Sequence, residues 1–279
     1  MMSLTVFCAV LAAAFLHAAW NAGIKTGTSK QTSMLILTVW QGIAGVLIVV
    51  WRPFPAPEVW PWLIASGFVH MFYQLFLAYA YEQGDLSRVY PLARGAAPVM
   101  VMLFSVFFLA DTVSVMEYAG VAVLGLGIML MAWGALASGE SRRLIPFALG
   151  SACATAGYTV IDGLGARVAG DPVGYVGWLL LMAAFFYLPA VLALKGRDIV
   201  YAPRRDWVLG AFIGVASFVA YGIVIWAATQ APLALVAALR ETSILFAMLL
   251  GWALFGDRMD RTKIIAGGLI VAGVLLTRL

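Results

Sequence analysis

The chain has 279 residues, of which 64% are hydrophobic and only 11% are charged. A soluble globular domain has roughly 45–50% apolar and about 25% charged residues, so this composition excludes one and indicates a polytopic membrane protein. The net charge of +4 does not indicate nucleic acid, because the cations fall in short loops where membrane orientation accounts for them. Cys8 and Cys153 lie in apolar segments without metal or redox spacing, so we expect no metal and no cofactor.

Apolar segments of the length needed to cross a bilayer, about 20 residues each, follow one another along the whole chain. The sequence therefore predicts an all-α membrane protein with ten transmembrane helices, joined by short polar loops and antiparallel to their neighbours in sequence. The predicted spans lie near 4–24, 31–51, 59–80, 86–109, 113–136, 145–167, 173–194, 207–229, 232–256 and 262–278.

Positive charge is distributed unevenly between the two sets of loops. The loops after the first, third, fifth, seventh and ninth spans hold twelve Lys and Arg residues, whereas the other loops and the termini hold three. Cytoplasmic loops carry the excess of Lys and Arg, so this bias places both termini on the extracytoplasmic side. We accordingly predict a multi-pass protein of a bacterial-type cytoplasmic (inner) membrane. The remaining two arginines fall inside predicted spans.

The two halves of the chain repeat a pattern of polar and small residues. Asp257 ends the ninth span 146 residues after Asp111 ends the fourth, and in each half a glycine-rich span follows. An odd number of spans per half makes the second half enter the membrane from the opposite side. We therefore expect two inverted repeats, 1–138 and 139–279, with a central cavity and a binding site near the membrane midplane between them.

With these features the chain resembles the EamA family of the drug/metabolite transporter superfamily. The resemblance is carried by 98–131 and 239–276, which look like the two copies of the EamA repeat, and by the opening segment 17–25. It implies ten helices in two inverted five-helix repeats, alternating access to the central cavity, and transport rather than catalysis. Asp111 and Asp257 stand where many members carry Glu, and the motifs say little about the substrate.

Arg94 and Arg240 lie at similar depth in the fourth and ninth spans. An arginine at the centre of a spanning helix costs about 2.5–3.5 kcal/mol on insertion scales, so each should face a wet cavity or a partner. One interpretation is a pair of buried salt bridges, for which Glu241 and Asp162 are candidates, for instance Arg94 with Asp162. The other is that at least one guanidinium binds a carboxylate, phosphonate or sulfonate of the substrate.

Other polar and aromatic side chains within the spans should also face inward, because they are expensive against lipid. Each histidine either bridges helices by hydrogen bonds or takes part in a proton relay, and the deep aromatic residues either pack helices or cage a cation. Asp162 and Glu241 are the two candidates for proton coupling. The predicted substrate-binding residues are Arg94, Arg240, His17, Trp20, Asn21, His70, Tyr73, Gln74, Tyr158, Asp162, Tyr221 and Glu241.

The sequence holds no HExxH motif, no glycine-rich phosphate loop and no nucleophile elbow, which argues against a membrane enzyme and against ATP use. A channel usually repeats by oligomerisation, so inverted halves within one chain favour a carrier, for which a monomer can suffice. We predict a permease that moves a small polar metabolite by alternating access. Its partners are the substrate, the lipid bilayer and, on one interpretation, a proton. The arginines favour an organic anion or zwitterion, and an amine or quaternary ammonium compound is the alternative.

Overall fold

The computed structural model is all-α in the part of the chain that it describes, residues 2–25, 29–83, 89, 93–94, 97–108, 113–137, 143–256 and 259–278. Eight helical segments of that part are long and apolar enough to cross a membrane. The helices are α1 (Leu4–Lys25), α2 (Lys30–Val49), α3 (Trp60–Gln83), α4 (Ala97–Phe108), α5 (Val115–Ala137), α6 (Leu144–Ala169), α7 (Pro172–Lys195), α8 (Arg204–Ala228), α9 (Leu233–Arg240), α10 (Ser243–Phe255) and α11 (Arg261–Leu276), with short 3-10 turns at Pro57–Val59 and Arg197–Val200.

Two of the ten predicted spans are represented by shorter helices. In the fourth predicted span the described helix α4 has 12 residues, and α11 in the tenth has 16. Both are below the roughly 17–25 residues that usually cross a bilayer, so the count of ten crossings stays a prediction. Asp111 and Asp257, which the sequence placed at the ends of the fourth and ninth spans, lie outside the described residues.

The helix ends follow local chemistry. The Ser29 hydroxyl accepts a hydrogen bond from the Thr32 amide at the start of α2, and the Asp260 carboxylate accepts one from the Lys263 amide at the start of α11. Such side chains satisfy amide groups that a helix leaves without a partner. The helix α6 ends at Gly170, whose φ of 67° is in the left-handed region that favours glycine.

The ninth predicted span is interrupted between α9 and α10. The amides of Glu241 and Thr242 bond to the carbonyls of Ala238 and Leu239 at 3.1 Å each, three residues back instead of four. The Thr242 hydroxyl also donates to the Leu239 carbonyl at 2.7 Å. A single helix over 232–256 would set neighbouring side chains about 100° apart. The tighter turn instead brings the side chains of Arg240 and Glu241 together.

Helices of the two halves pack closely where glycines remove side chains. A Cβ atom at Gly120 would lie 2.8 Å from the Gly273 carbonyl oxygen, and one at Gly127 would lie 2.8 Å from that of Ala266. Residue numbers rise along α5 as they fall along α11, so this pair is antiparallel. Small residues allow such contact in a membrane, where no hydrophobic force draws helices together.

The contacts between the halves come in matching pairs. Helix α3 packs on α6 as α1 packs on α8, and α3 packs on α7 as α2 packs on α8. Exchanging α1 with α6, α2 with α7 and α3 with α8 converts each contact into its counterpart. The pair α2–α7 is antiparallel, since Gly42 approaches Ala184 and Gly45 approaches Gly177. These contacts support the inverted-repeat proposal taken up below.

The α5–α11 contact gives a prediction with a control on the same helix. A Cβ at Gly273 would lie 2.5 Å from the Leu124 backbone nitrogen, whereas one at Gly268 would meet nothing within 4 Å. We expect Gly273→Ala to lower the free energy of unfolding by about 1–3 kcal/mol, the usual effect of overpacking. Gly268→Ala should leave it unchanged or slightly higher, because alanine favours the helix. Unfolding in mixed detergent measures both, and equal losses would contradict the packing.

Candidate functional site

Arg94 is fully buried and forms an ion pair with Glu241. Its Nε donates to Oε2 of Glu241 at 3.1 Å, and its Nη2 donates to Oε1 at 2.6 Å. Both carboxylate oxygens therefore meet one guanidinium, the bidentate geometry that makes the strongest such pairs. The third nitrogen, Nη1, donates to the Tyr158 hydroxyl at 3.2 Å. The partner that the structure gives Arg94 is thus Glu241, where the sequence had offered Asp162 as the example.

Arg240 reaches the same carboxylate from the other side. Its Nε and Nη2 lie 3.3 and 3.2 Å from Oε1 of Glu241, and Nη2 also donates to the Thr159 hydroxyl at 3.1 Å. Its Nη1 makes no hydrogen bond to any residue that the structure describes. The two arginines and one glutamate sum to a charge of +1, and we assign the surplus to Arg240, because Arg94 holds both oxygens of Glu241.

Asp162 anchors a second polar group, on the same face of α6 as Tyr158. Its Oδ2 accepts a hydrogen bond from the Tyr221 hydroxyl and lies 3.9 Å from Nε2 of His70. Ser66 and Tyr175 are further polar neighbours. The second oxygen, Oδ1, is buried and accepts no hydrogen bond of good geometry from the described side chains. The environment of Asp162 therefore consists of hydroxyls and an imidazole.

Aromatic rings join the two groups. His70 stacks on Tyr158 with ring centroids 4.2 Å apart, while Tyr73 and Tyr221 present their edges to Tyr158 at 5.2 and 5.9 Å. The guanidinium carbon of Arg240 lies 5.6 Å from the Tyr158 ring centroid. Tyr158 thus touches the arginine group through its hydroxyl and its ring, and the Asp162 group through His70. In this conformation these rings pack against one another.

The remaining predicted residues on α1 form a separate cluster with Tyr81 of α3. Trp20 donates to Nδ1 of His17 at 3.2 Å, and the Tyr81 hydroxyl donates to the Asn21 side-chain oxygen at 3.1 Å. Asn21 lies four residues from the end of α1, about 6 Å along the axis, whereas Glu241 lies about 12 Å in from the opposite side. His17 is nevertheless within electrostatic reach of the two arginines.

Gln74, the last of the predicted residues, is buried one turn beyond His70 on α3. The sequence-based prediction missed Tyr175, the neighbour of Asp162, and three further residues that the structure connects to the predicted ones. Thr159 lies three residues before Asp162, and Tyr81 lies seven residues after Gln74, so helical spacing would have placed both on the predicted faces. Ser66 lies four residues before His70 and contacts its ring nitrogen at 3.3 Å. Among the described residues, no group of His, Cys, Asp and Glu could hold a metal ion.

Comparison with known proteins gives one family and one fold. The profile of the EamA-like transporter family matches residues 4–133 and 142–279. No curated protein matches the chain. A solved structure, described only as "Crystal structure of protein", is 20% identical and superposes with a TM-score of 0.70, covering 98% of this chain and 94% of that one. At this identity the likeness establishes the fold alone.

Proposed function

The chain belongs to the EamA-like transporter family, within the drug/metabolite transporter superfamily, and on that premise we propose that this multi-pass membrane protein is a secondary carrier of a small organic anion or zwitterion. Transport proceeds by alternating access between inverted repeats, 1–138 and 139–279, in a cytoplasmic membrane with both termini outside. The antiparallel packing of α5 on α11 and of α2 on α7 supports the inversion. Carriers of this architecture bind their substrate between the repeats.

The surplus positive charge at Arg240 carries the anion proposal. A buried guanidinium is stable only with a counter-charge, and Glu241 is already held at both oxygens by Arg94. Nη1 of Arg240 has two N–H donors left for the oxygens of a carboxylate, sulfonate or phosphonate. Binding of such a group neutralises the three charges of Arg94, Arg240 and Glu241. Arg94 has a structural role in this proposal, because its three nitrogens bond to Glu241 and Tyr158.

An amine or quaternary ammonium substrate is the second candidate, favoured by Asp162 and the aromatic rings around it. Rings of this kind attract cations when the cation sits over their faces. Here His70 already stacks on the face of Tyr158 at 4.2 Å. An ammonium group would therefore have to displace His70 before it reached that face. Arg240 requires no such rearrangement, and so we prefer the anion.

Counterflow in proteoliposomes tests the proposal. Vesicles are loaded in turn with an excess of unlabelled propionate, methanesulfonate, taurine or tetramethylammonium and then diluted into a trace of the same labelled compound. A carrier accumulates label transiently above equilibrium, whereas a channel or a non-transporting protein does not. We expect accumulation with at least one compound that has a carboxylate or sulfonate. Accumulation of tetramethylammonium alone would favour the second candidate, and accumulation of none would contradict the proposed function.

A further inference from the structure

Resting on the proposed function, we propose that the carrier moves its anion together with a proton, and that Asp162 is the group that takes up this proton. The inference follows from the charges buried around Tyr158 and from how the two carboxylates of the site are held. It also distinguishes between Asp162 and Glu241, which the sequence left as equal candidates.

The buried charges balance only when Asp162 is ionised. Arg94, Arg240, Glu241 and Asp162 are each at most 3% exposed. Two guanidinium groups and two carboxylates sum to zero, so an anion bound at Arg240 would leave one negative charge in excess. Uncompensated charge at membrane depth is strongly unfavourable. A proton on one carboxylate restores neutrality, and the cluster with anion and proton has the same net charge as the empty one.

Glu241 is poorly suited to accept that proton. Its two oxygens accept four hydrogen bonds from Arg94 and Arg240, at 2.6 to 3.3 Å. A guanidinium has no acceptor, so a proton on Glu241 would face only donors and would break at least one of these bonds. The hydrogen bonds from Arg94 and Arg240 therefore require both oxygens of Glu241 to act as acceptors.

Asp162 has no such restraint. It accepts a hydrogen bond from Tyr221 through Oδ2, and its Oδ1 accepts none of good geometry from the described residues. A protonated carboxyl can donate from Oδ1 to a neighbouring hydroxyl oxygen, which acts equally well as donor or acceptor. The titratable and charged groups that face Asp162 are His70 on α3, Tyr175 on α7, Tyr221 on α8 and Arg240 on α9. Tyr73 on α3 and Tyr158 on α6 pack against the His70 ring. Glu58, in the 3-10 turn against α6, is exposed, and α4 has no titratable residue.

The geometry links the two sites. Thr159, which bonds to Arg240, lies three residues from Asp162 on α6, a rise of about 4.5 Å. A positive charge this close favours the ionised form of a carboxyl group. An anion at Arg240 cancels that charge and so strengthens proton binding at Asp162. By linkage, a proton on Asp162 strengthens anion binding by the same factor.

Isothermal titration calorimetry on the purified full chain measures this linkage. Propionate and methanesulfonate are fully ionised near neutral pH, and titration in two buffers that differ in ionisation enthalpy gives the number of protons taken up. We expect about one proton per bound anion, with affinity rising about tenfold for each unit of falling pH. Asp162→Asn imitates the protonated form, so it should bind the anion without proton uptake and with no pH dependence. His70→Gln should still take up about one proton per bound anion, whatever its affinity, because Asp162 remains.

Four results would overturn the inference. Wild-type binding of an anion without proton uptake, or full uptake in Asp162→Asn, would remove Asp162 as the proton acceptor and leave the carrier proposal intact. Loss of the uptake in His70→Gln alone would assign the proton to His70. Taurine, which is neutral overall, should bind without proton uptake, and a protein that binds taurine but neither anion would be a zwitterion carrier with no need of the proton. Failure of all three compounds to bind would contradict the proposed function itself.

Discussion

Glu241→Gln is expected to destabilise the protein by about 3–5 kcal/mol, the loss that follows when one partner of a buried ion pair is removed. Glu241 is the shared counter-ion of Arg94 and Arg240, and the substitution leaves both guanidinium groups buried with a net charge of +2. Most globular proteins have only about 5–15 kcal/mol of stability, so the yield of folded protein should fall sharply. Unfolding in mixed detergent and size-exclusion chromatography measure the effect.

The double variant Arg94→Gln/Glu241→Gln is the matched control. It removes one charge of each sign and keeps the native net charge of +1 at Arg240, so it should be more stable than Glu241→Gln alone. Arg94→Gln by itself leaves Arg240 paired with Glu241 and should lie between the wild type and Glu241→Gln. A double variant no better than Glu241→Gln would show that the loss comes from packing and not from unpaired charge.

The spans were predicted from the length of apolar segments alone. That length does not predict a break within a span, such as the one between α9 and α10. No proline or glycine lies between Leu233 and Gly251 to mark a helix boundary. The turn at Glu241 and Thr242 is instead set by tertiary contacts, because Arg94 and Arg240 both bond to one carboxylate. Local sequence signals do not contain a constraint that comes from a residue 147 positions away.

The ion-pair partner of Arg94 could not be predicted for the same reason, since it too depends on tertiary contacts. Arg94, Glu241 and Asp162 were recognisable as buried charges, since charge inside an apolar segment is visible without a structure. The sequence offered no means of deciding which acid meets which base, because that depends on how α6 and α9 are placed about the fourth span. Tyr158 was predicted to bind substrate for its ring, whereas its hydroxyl accepts a hydrogen bond from Arg94.

The positions of the glycines in the sequence indicate which helix faces are packed. Gly120 lies in the glycine-rich span predicted to follow the fourth, and the structure places it against Gly273 of the other half. Gly210 and Gly214, spaced as a GxxxG motif, lie against Ile36 and Trp40 of α2. Small residues in membrane helices mark the surfaces where helices meet. The sequence thus indicated which faces are packed, although it did not show which helices they meet.

Arg240→Gln is expected to reduce transport by about 30-fold or more, while the protein stays folded. Removing one partner of a buried charged hydrogen bond usually costs about 2 kcal/mol or more, and each 1.4 kcal/mol is a factor of about ten. The fold should survive because Arg94 and Glu241 remain a neutral bidentate pair. Arg240→Lys keeps the charge without the fork and should give an intermediate loss. Initial rates of counterflow per folded molecule provide the measurement.

Arg167→Gln is the matched control, since it makes the same chemical change at an arginine outside the site. The Arg167 guanidinium donates to the carbonyls of Ala228 and Ala231 at 2.9 and 3.1 Å, where it holds the turn between α8 and α9. Its loss should lower stability and leave transport per folded molecule near the wild-type rate. Arg240→Gln should therefore lower mainly transport, whereas Arg167→Gln should lower mainly stability. If Arg240→Gln transported at the wild-type rate, the Arg240 guanidinium would not belong to the substrate site. Its role would then be limited to the ion pair with Glu241.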